Sequence, residues 1–231
     1  MSPRLKQESR LSGREFKNAI FQELARMGKA LGNGHRLEII DLLCQGEKTV
    51  EELARETGRS VAATSSHLQS LKTARIATSR KNGLHVHYRL LEGVPFLYKS
   101  LEATAKRNIA EIQRLKEEFF SPEEDFTGLN SSELLKKARA GEIILLDVRP
   151  EPEYRAGHLP GAISMPLGKL QFFSRDFAGK KLPRRKPILA YCRGPYCVLS
   201  REAVFILKNI GFRAFRLAEG VVEWRQDGVI S

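Results

Sequence analysis

The sequence predicts two domains, a mainly α domain over residues 1–120 and an α/β domain with a central parallel sheet over residues 129–231, joined by a linker at 121–128. In the first half, apolar residues recur at helical spacing and lead into one β-hairpin signal. In the second half, short apolar runs alternate with helical patterns, which is typical of a parallel sheet with crossover helices. Between them, Pro122 and the acidic residues Glu123–Asp125 interrupt the last helical pattern of the first domain.

The charge of the chain indicates an anionic partner. Its 39 Lys and Arg residues exceed its 27 Asp and Glu residues and give a formal net charge of +12, for which nucleic acid is the usual partner. No apolar run approaches the ~20 residues of a membrane-spanning helix, and the N-terminus lacks the apolar core of a signal peptide. With 3 cysteines, free thiols are favoured over a disulfide framework. We therefore expect a cytoplasmic protein with no membrane partner.

Four helices are predicted before the hairpin. They are Arg14–Leu31, a second helix closed by Gly46, a short third helix from the capping box Thr49-Val-Glu-Glu52 to Glu56, and a fourth over Val61–Thr73. Ser60 caps the fourth helix, and Thr57-Gly58-Arg59 forms the turn before it. A short helix, a glycine turn and a capped second helix make a helix-turn-helix.

The fourth helix presents a face suited to a DNA groove. Val61, Thr64, Leu68 and Leu71 share its inward face, whereas the opposite face is small, polar and free of acid. A helix that enters the major groove needs short side chains with a few hydrogen-bonding groups; a weakly polar surface helix is the alternative. The predicted DNA-binding residues here are Ser60, Ala62, Ala63, Ser65, Ser66, Gln69 and Ser70.

A basic β-hairpin completes this domain. Residues 77–81 and 84–90 alternate at period two and are joined by Asn82-Gly83, a strong hairpin signal. Arg80 and Lys81 lie beside its tip, and we expect them to contact phosphates or the minor groove. A long helix is predicted next, from Leu91 to Phe119, with an apolar stripe that suits dimer packing or packing on its own domain.

From about Phe16 to Phe120 the chain resembles the ArsR/SmtB family of winged helix-turn-helix repressors. The residues that carry the resemblance are His35-Arg36-Leu37, Gly46-Glu47 with Val50–Ala54, Ser66–Leu71, Arg80–Gly83 and Tyr88-Arg89-Leu90. The resemblance implies a homodimer paired through its first and last helices. It also implies an inverted-repeat double-stranded DNA operator, with recognition helices about 34 Å apart.

The family's usual metal ligands are missing from this chain. Lys48–Glu51, at the start of the third helix, contains no cysteine, and Leu97–Phe119 contains no Asp, His or Cys. Cys44 has no nearby His or Cys on its apolar face and is interpreted as a buried structural thiol. The sequence therefore predicts no metal site and no cofactor, and it leaves the first domain without an evident sensor.

The second domain is predicted to alternate strands and helices. Asn130–Glu133 caps a helix, and Arg149–Pro160 is predicted as a polar loop. The predicted strands are Ile143–Val148, Ala162–Met165, an apolar strand from Ile188 that stops at Cys192, and Arg213–Leu217. Helices are predicted over Leu167–Phe177 and Leu199–Ile210, with a final helical turn over Glu219–Asp227.

Cys192 is the candidate nucleophile. It ends an apolar strand and begins a Gly/Pro loop that leads into a helix near Leu199. Such a loop surrounds its first residue with backbone N–H groups, which lower the pKa of a thiol, and Arg193 is expected to add positive charge. Asp147 and Arg149 are interpreted as a structural ion pair. The predicted site residues are Cys192, Arg193, Gly194, Tyr196, Cys197 and Val198.

From about Leu129 to Ser231 the chain resembles a rhodanese domain. The matching residues are Asp147-Val-Arg149, Glu153-Tyr154, Gly157–Ala162, Tyr191–Gly194, Glu219-Gly220 and Glu223-Trp224. The resemblance implies that Cys192 accepts sulfane sulfur as a persulfide. A small sulfur donor and a thiol or cyanide acceptor would then be its partners.

Two features of the loop depart from this pattern. The loop is one residue longer than the loop of small sulfurtransferases. Phosphatases and arsenate reductases use the longer loop, but they close it with an arginine, and Val198 occupies that position here. Pro195 also removes one amide donor, so arsenate or phosphate chemistry ranks below sulfur transfer. Cys197 lies inside the loop, either as a packed thiol or as a thiol that attacks a Cys192 persulfide or sulfenate.

Three hypotheses follow for function. The first is a DNA-binding repressor whose rhodanese domain senses reactive sulfur or redox state through Cys192. The second is a sulfurtransferase enzyme, acting on thiosulfate or polysulfide, with an accessory DNA-binding domain. In the third, the second domain is an inert interaction module.

Overall fold

The computed structural model describes residues 11–172, 182–183, 185–226 and 228. These residues form two compact units. Within the described part, the first unit comprises residues 11–40 and 48–94, and the second comprises residues 41–47 and 95–228. Among the described residues, no helix is both long and apolar enough to cross a membrane.

Residues 11–94 contain four helices and a small antiparallel sheet. In chain order these are α1 (Gly13–Leu31), α2 (Gly34–Cys44), β1 (Lys48–Thr49), α3 (Val50–Glu56), α4 (Val61–Thr73), β2 (Ala77–Asn82) and β3 (His85–Leu90). The sheet order is β1-β3-β2. Ser12, Thr49 and Ser60 accept hydrogen bonds from the first turns of α1, α3 and α4, as N-caps do.

Three details of this region differ from the sequence prediction. Strand β1 was not predicted, because two residues are too few to give a periodic signal. Val61 is exposed although it was assigned to the inward face, since it is the first residue of α4 and precedes the turn that packs on α3. The hairpin turn is Gly83-Leu84 rather than Asn82-Gly83, because Asn82 still pairs with His85.

The chain from residue 94 onward continues with two helices and then a four-stranded parallel sheet. In chain order the elements are α5 (Val94–Asn108), α6 (Ala110–Phe119), a 3₁₀ turn (Pro122–Glu124), α7 (Ser131–Arg139), β4 (Ile144–Asp147), α8 (Glu151–Ala156), β5 (Ile163–Ser164), α9 (Leu167–Leu170), β6 (Ile188–Tyr191), α10 (Leu199–Asn209), β7 (Ala214–Arg216) and α11 (Val221–Gln226).

The parallel sheet has the order β5-β4-β6-β7 and is covered on both faces. Every residue of β4 and β6 is buried, as their continuous apolar runs predicted. One face packs against α9 and α10, and the other packs against α7 and α11, where Trp224 is fully buried. The central position of β6 places its carboxyl end, and therefore Cys192, in the middle of the sheet edge.

Three predicted elements of this unit are corrected or only partly covered. The single helix over 91–119 is wrong, because Ile109 adopts an extended backbone (φ −116°, ψ 97°) and separates α5 from α6. The predicted loop over 149–160 contains α8, which tolerates Pro152 because proline fits a first helical turn. The helix predicted over 167–177 is observed to Leu170, and residues 173–177, like Asp227, lie outside the described residues.

Candidate active site and nucleic-acid interface

Cys192 lies at the carboxyl end of β6, and a loop over residues 192–198 connects it to α10. The carboxyl edge is the usual place for a site in a parallel sheet. The loop turns back on itself because the N–H of Cys197 donates to the carbonyl of Gly194 (3.2 Å). Gly194 has φ +149°, a conformation that favours glycine. Cys192 is 1% exposed, so the loop covers its thiol.

Hydrogen bonds stabilise the thiolate of Cys192. Its Sγ lies 3.2 Å from Oγ of Ser200. When the thiol is protonated it donates instead to the carbonyl oxygen of Cys197, at 3.4 Å. Burial raises the pKa of this thiol, but hydrogen bonds from the Cys197 thiol, the Ser200 hydroxyl and the N–H groups of Ser200 and Gly194 outweigh burial and lower the pKa to about 7. About half of Cys192 is therefore thiolate at neutral pH, and the thiolate is the nucleophilic form.

The other two cysteines are not activated in this way. Cys197 is half-buried, and its pKa is raised first by its hydrogen bond with Cys192 and then by burial. Cys44 is also half-buried, and burial together with the charge of Asp41 raises its pKa to about 12. At neutral pH both thiols remain protonated, so Cys192 is the reactive thiol among the 3 cysteines of the chain.

The guanidinium of Arg193 is ion-paired with Glu153. Its Nη2 lies 2.6 Å from Oε1 of Glu153. The expectation that Arg193 adds positive charge around Cys192 is therefore corrected, because the Glu153 carboxylate balances that charge. Val198 is the N-cap of α10 and makes no capping hydrogen bond through its side chain. The loop thus has no arginine at the position from which phosphatase-type enzymes close on an oxyanion.

The predicted ion pair of Asp147 and Arg149 is confirmed. Arg149 Nη2 lies 2.6 Å from Asp147 Oδ2, and both side chains are almost completely buried. The same nitrogen donates to the carbonyl of Gly157 at 2.7 Å, which ties the end of β4 to the end of α8. Neither side chain contacts the Cys192 thiol in the described hydrogen bonds, so the pair is structural.

Gln45 bridges this ion pair and the thiol loop within the second unit. Its Oε1 accepts a hydrogen bond from Arg149 Nη1 (2.9 Å), and its Nε2 donates to the backbone carbonyl of Arg193 (3.2 Å). Gln45 is 5% exposed, so both bonds form away from water. Sequence reasoning missed this residue because a glutamine that directly follows a helix has no local pattern that indicates a distant partner.

Gly220 supports the loop from the opposite side. A Cβ at this position would lie 2.7 Å from the carbonyl oxygen of Cys192 and 2.7 Å from the carbonyl carbon of Arg193, so only glycine allows the approach. The N–H of Gly220 donates to Glu223 Oε2 (2.9 Å), and Glu223 Oε1 lies 2.6 Å from Lys99 Nζ. An ion pair between the buried Lys99 and the half-buried Glu223 therefore supports the backbone that packs against the Cys192 loop.

The structure brings only part of the predicted site together. Gly194 and Cys197 contribute hydrogen bonds to the Cys192 thiolate, whereas Tyr196 and Val198 are exposed on the surface of the loop. Ser200 was missed, although a hydroxyl in the first turn of the helix after a thiol loop is a usable signal. Gly220 was noted only as part of the rhodanese resemblance, and its packing against the loop was not foreseen.

Helix α4 presents the predicted recognition face. The Oγ of Ser60 accepts a hydrogen bond from the N–H of Ala63 (3.2 Å), while Thr64, Leu68 and Leu71 are buried beneath the helix. Of the predicted DNA-binding residues on this element, Ser60, Ala62, Ser66, Gln69 and Ser70 are exposed, and Ala63 and Ser65 are half-buried.

Some of the polar groups on this face have partners within the protein. Ser70 Oγ donates to the carbonyl of Ser66 (3.1 Å), and Gln69 Nε2 donates to the hydroxyl of Tyr88 (3.4 Å). Arg80 and Lys81 are both exposed on β2, near the tip of the hairpin. The face therefore offers short exposed side chains on the helix and cationic side chains on the hairpin, the combination that DNA grooves and phosphates accept. Among the residues that the structure describes, no three His, Cys, Asp or Glu side chains are grouped as metal ligands.

Two families match the chain. Residues 33–79 match the family "Bacterial regulatory protein, arsR family", and residues 130–227 match the family "Rhodanese-like domain". The HTH-type transcriptional regulator Rv0324 of Mycobacterium tuberculosis is 39% identical over 214 residues, which is 92% of each chain. The chain belongs to the ArsR family of transcriptional regulators and carries a C-terminal rhodanese domain.

The relatives of this ArsR-family regulator fall into the same two classes as its domains. The thiosulfate sulfurtransferase GlpE of Coxiella burnetii is 30% identical over 98 residues, 42% of this chain and 82% of that protein. A solved structure of the homodimeric winged helix-turn-helix DNA-binding domain of Mb0332 from Mycobacterium bovis is 38% identical to this chain. The match covers 44% of this chain and 94% of the Mb0332 chain, with a TM-score of 0.41.

The matched regions contain both candidate sites. The arsR-family match contains α3 and α4, and the rhodanese match contains the whole Cys192 loop. The predicted fold class, a winged helix-turn-helix domain followed by an α/β rhodanese domain with a central parallel sheet, is confirmed.

Proposed function

We propose that this regulator is a cytoplasmic homodimeric repressor whose Cys192 accepts sulfane sulfur, and that the resulting persulfide changes its affinity for an inverted-repeat operator. The observation that carries the proposal is the buried Cys192 thiol, whose pKa of about 7 is set by the surrounding hydrogen bonds. Such a thiolate attacks sulfane sulfur at neutral pH. Because the same chain contains the helix-turn-helix, uptake of sulfur can bias DNA binding if the two states differ in affinity.

The exposed apolar surface of α1 supports a homodimer. Phe16, Ile20, Phe21 and Leu24 recur at helical spacing and are all exposed. A contiguous apolar stripe of this kind is typical of an interface between subunits. A second copy of the chain, paired through α1 and the helices that follow the hairpin, covers this stripe and places two recognition helices on one duplex.

Gln45 supports a route from the thiol loop to the DNA-binding region. It donates to the carbonyl of Arg193, the residue after Cys192, and it lies in the segment 45–47 between α2 and β1. Strand β1 leads directly into α3, the first helix of the helix-turn-helix. If the loop moves when Cys192 takes up sulfur, the hydrogen bond between Arg193 and Gln45 is strained or broken. Gln45 is only a few residues before α3 in the chain, so such a movement can reach the helix-turn-helix.

DNA binding in two redox states tests the proposal. Fluorescence anisotropy would measure the affinity for a duplex selected from a random-sequence pool by the reduced protein. Wild type and Cys192→Ser would each be measured before and after treatment with inorganic polysulfide. We expect the treatment to change the affinity of wild type and to leave that of Cys192→Ser unchanged. Cys44→Ser is the matched control and should respond as wild type does. Equal affinities in all four conditions would contradict the proposal.

A sulfurtransferase enzyme is the second candidate, and the similarity to the thiosulfate sulfurtransferase over 98 residues favours it. In this case Cys192 passes its sulfur to cyanide or a thiol in repeated turnovers, and the DNA-binding domain is accessory. Thiocyanate formation from thiosulfate and cyanide should then be fast, lost in Cys192→Ser, and accompanied by DNA affinity that polysulfide does not alter. If alkylating reagents do not label Cys192 near pH 7, both of these functions are excluded, and the second domain is an inert interaction module.

A further inference from the structure

The Cys192 loop contains a second thiol in contact with the first. Cys197 donates its N–H to Gly194, which folds the loop so that the Cys192 Sγ lies 3.4 Å from the Cys197 carbonyl oxygen. Cys197 packs against the same core cluster that contains Cys192, and its thiol helps to lower the pKa of Cys192. Two cysteines five residues apart on one folded loop, with Sγ of the first in contact with the backbone of the second, can form a disulfide after a movement of the loop.

The two thiols have different roles before sulfur arrives. The Cys192 thiolate accepts the hydrogen bond, and the Cys197 thiol donates it and stays protonated. Cys197 therefore does not compete with Cys192 for a sulfur donor. Once Cys192 carries an extra sulfur, the negative charge moves to the terminal sulfur, and the Cys197 thiol faces an electrophilic sulfur–sulfur bond.

We propose that Cys197 is a further catalytic residue that resolves the Cys192 persulfide into an intraloop disulfide and releases hydrogen sulfide. This step rests on the proposed function, in which Cys192 accepts sulfane sulfur. The sulfur of Cys197 attacks Sγ of Cys192, and the bond between that Sγ and the terminal sulfur breaks. The terminal sulfur, which carries the negative charge of the persulfide, takes the proton of the Cys197 thiol and leaves as hydrosulfide, the anion of hydrogen sulfide. The sulfane sulfur is reduced to sulfide while the two cysteines are oxidised to one disulfide, so no further oxidant or reductant enters.

The resolved state is structurally distinct from the persulfide. A disulfide fixes the two sulfurs at about 2.05 Å from each other. Because Cys197 is joined to Gly194 by a backbone hydrogen bond, the loop on both sides of Arg193 has to move with it. The disulfide also removes the thiolate, so the loop accepts no further sulfur until an external thiol reduces it.

Intact-protein mass spectrometry of the full chain tests this step. Reduced protein is treated with inorganic polysulfide, desalted, and followed over time for mass and for released sulfide. Wild type should first gain one sulfur atom, and should then fall to a mass two hydrogen atoms below the reduced chain as sulfide appears. Cys197→Ser should keep the added sulfur and lose the sulfide release. Cys44→Ser should behave as wild type.

Peptide mapping of wild type gives a result that does not depend on the folding of any variant. Trypsin cleaves after Arg193, between the two cysteines, so the peptides ending at Arg193 and beginning at Gly194 stay together only through a disulfide. We expect this linked pair after polysulfide treatment, and its loss after reduction.

The two proposals fail in different ways. If wild type keeps its persulfide as long as Cys197→Ser and no linked peptides form, Cys197 is not a resolving residue and the proposed function stands. If wild type never gains sulfur at Cys192, both proposals are overturned.

Discussion

Replacing Ser200 with alanine tests the origin of the Cys192 reactivity. The Ser200 hydroxyl lies 3.2 Å from the Cys192 Sγ and is one of the hydrogen bonds that bring its pKa to about 7. A hydrogen bond to a buried charged group contributes about 1.5–3 kcal/mol. At about 1.4 kcal/mol per pH unit, its loss raises the pKa of Cys192 by about one to two. At pH 7 the thiolate then falls from about half of the molecules to about 1–10%, and alkylation slows roughly five- to fiftyfold.

The pH dependence of the alkylation rate shows the direction in which the pKa of Cys192 is shifted. Because the pKa is lowered, the alkylation rate of wild type should rise as the pH passes through about 7 and level off above it. The rise in Ser200→Ala should come at higher pH, and the two rates should converge where both thiols are ionised. Iodoacetamide labelling between pH 5 and 10, with the modified cysteine assigned by mass spectrometry, measures both profiles.

Ser164→Ala is the matched control for this experiment. This change also removes one side-chain hydrogen bond, from the Ser164 hydroxyl to Glu151 at 3.1 Å. Ser164 lies on strand β5 of the same sheet. Its profile should match that of wild type. Equal midpoints for wild type and Ser200→Ala, or a wild-type midpoint near the ordinary value of about 8.5, would refute the assignment of the thiolate stabilisation to the loop.

Three further variants have defined outcomes. Arg149→Leu leaves the Asp147 carboxylate buried without its counter-charge, and it should cost about 3–5 kcal/mol in urea unfolding followed by the single tryptophan; a loss below 1 kcal/mol would contradict the ion pair. Gly220→Ala should slow alkylation of Cys192, because the added Cβ displaces the backbone of Cys192 and Arg193. Gly168→Ala, where a Cβ meets nothing within 4 Å, should not slow it. Equal rates for the two variants would show that the packing of Gly220 against the loop is dispensable. Gln45→Leu should leave persulfide formation intact and reduce the effect of polysulfide on DNA affinity; an undiminished effect would exclude Gln45 from the route.

The local elements were largely predictable because each has a short-range cause. Period-two alternation predicted the hairpin, continuous apolar runs predicted β4 and β6, and the capping box Thr49–Glu52 located the start of α3. The break at Ile109 was hard to predict, because neither Gly nor Pro marks the position and Asn108 is only a weak stop signal. The small shift of the hairpin turn follows from cross-strand pairing, which a turn dipeptide alone does not determine.

The candidate site was predictable only where residues act on their sequence neighbours. Cys192, Gly194 and Cys197 share one loop, so their proximity follows from the strand–loop–helix pattern. Gln45 and Gly220 reach the same loop from distant parts of the chain, and a single sequence carries no signal for such contacts. The pairing of Arg193 with Glu153 is of the same kind, and it reversed the role that sequence reasoning gave to this arginine.

The pairing of Arg193 also explains why this loop suits a reversible change of charge. The strongest stabilising contacts of the thiolate are dipoles: a thiol, a hydroxyl and two backbone N–H groups. If a guanidinium held the thiolate instead, formation of a neutral disulfide would leave that guanidinium buried and unpaired, which is costly. In the reduced protein the carboxylate partner of Arg193 is Glu153. Loss of the thiolate charge therefore does not take away the carboxylate partner of Arg193.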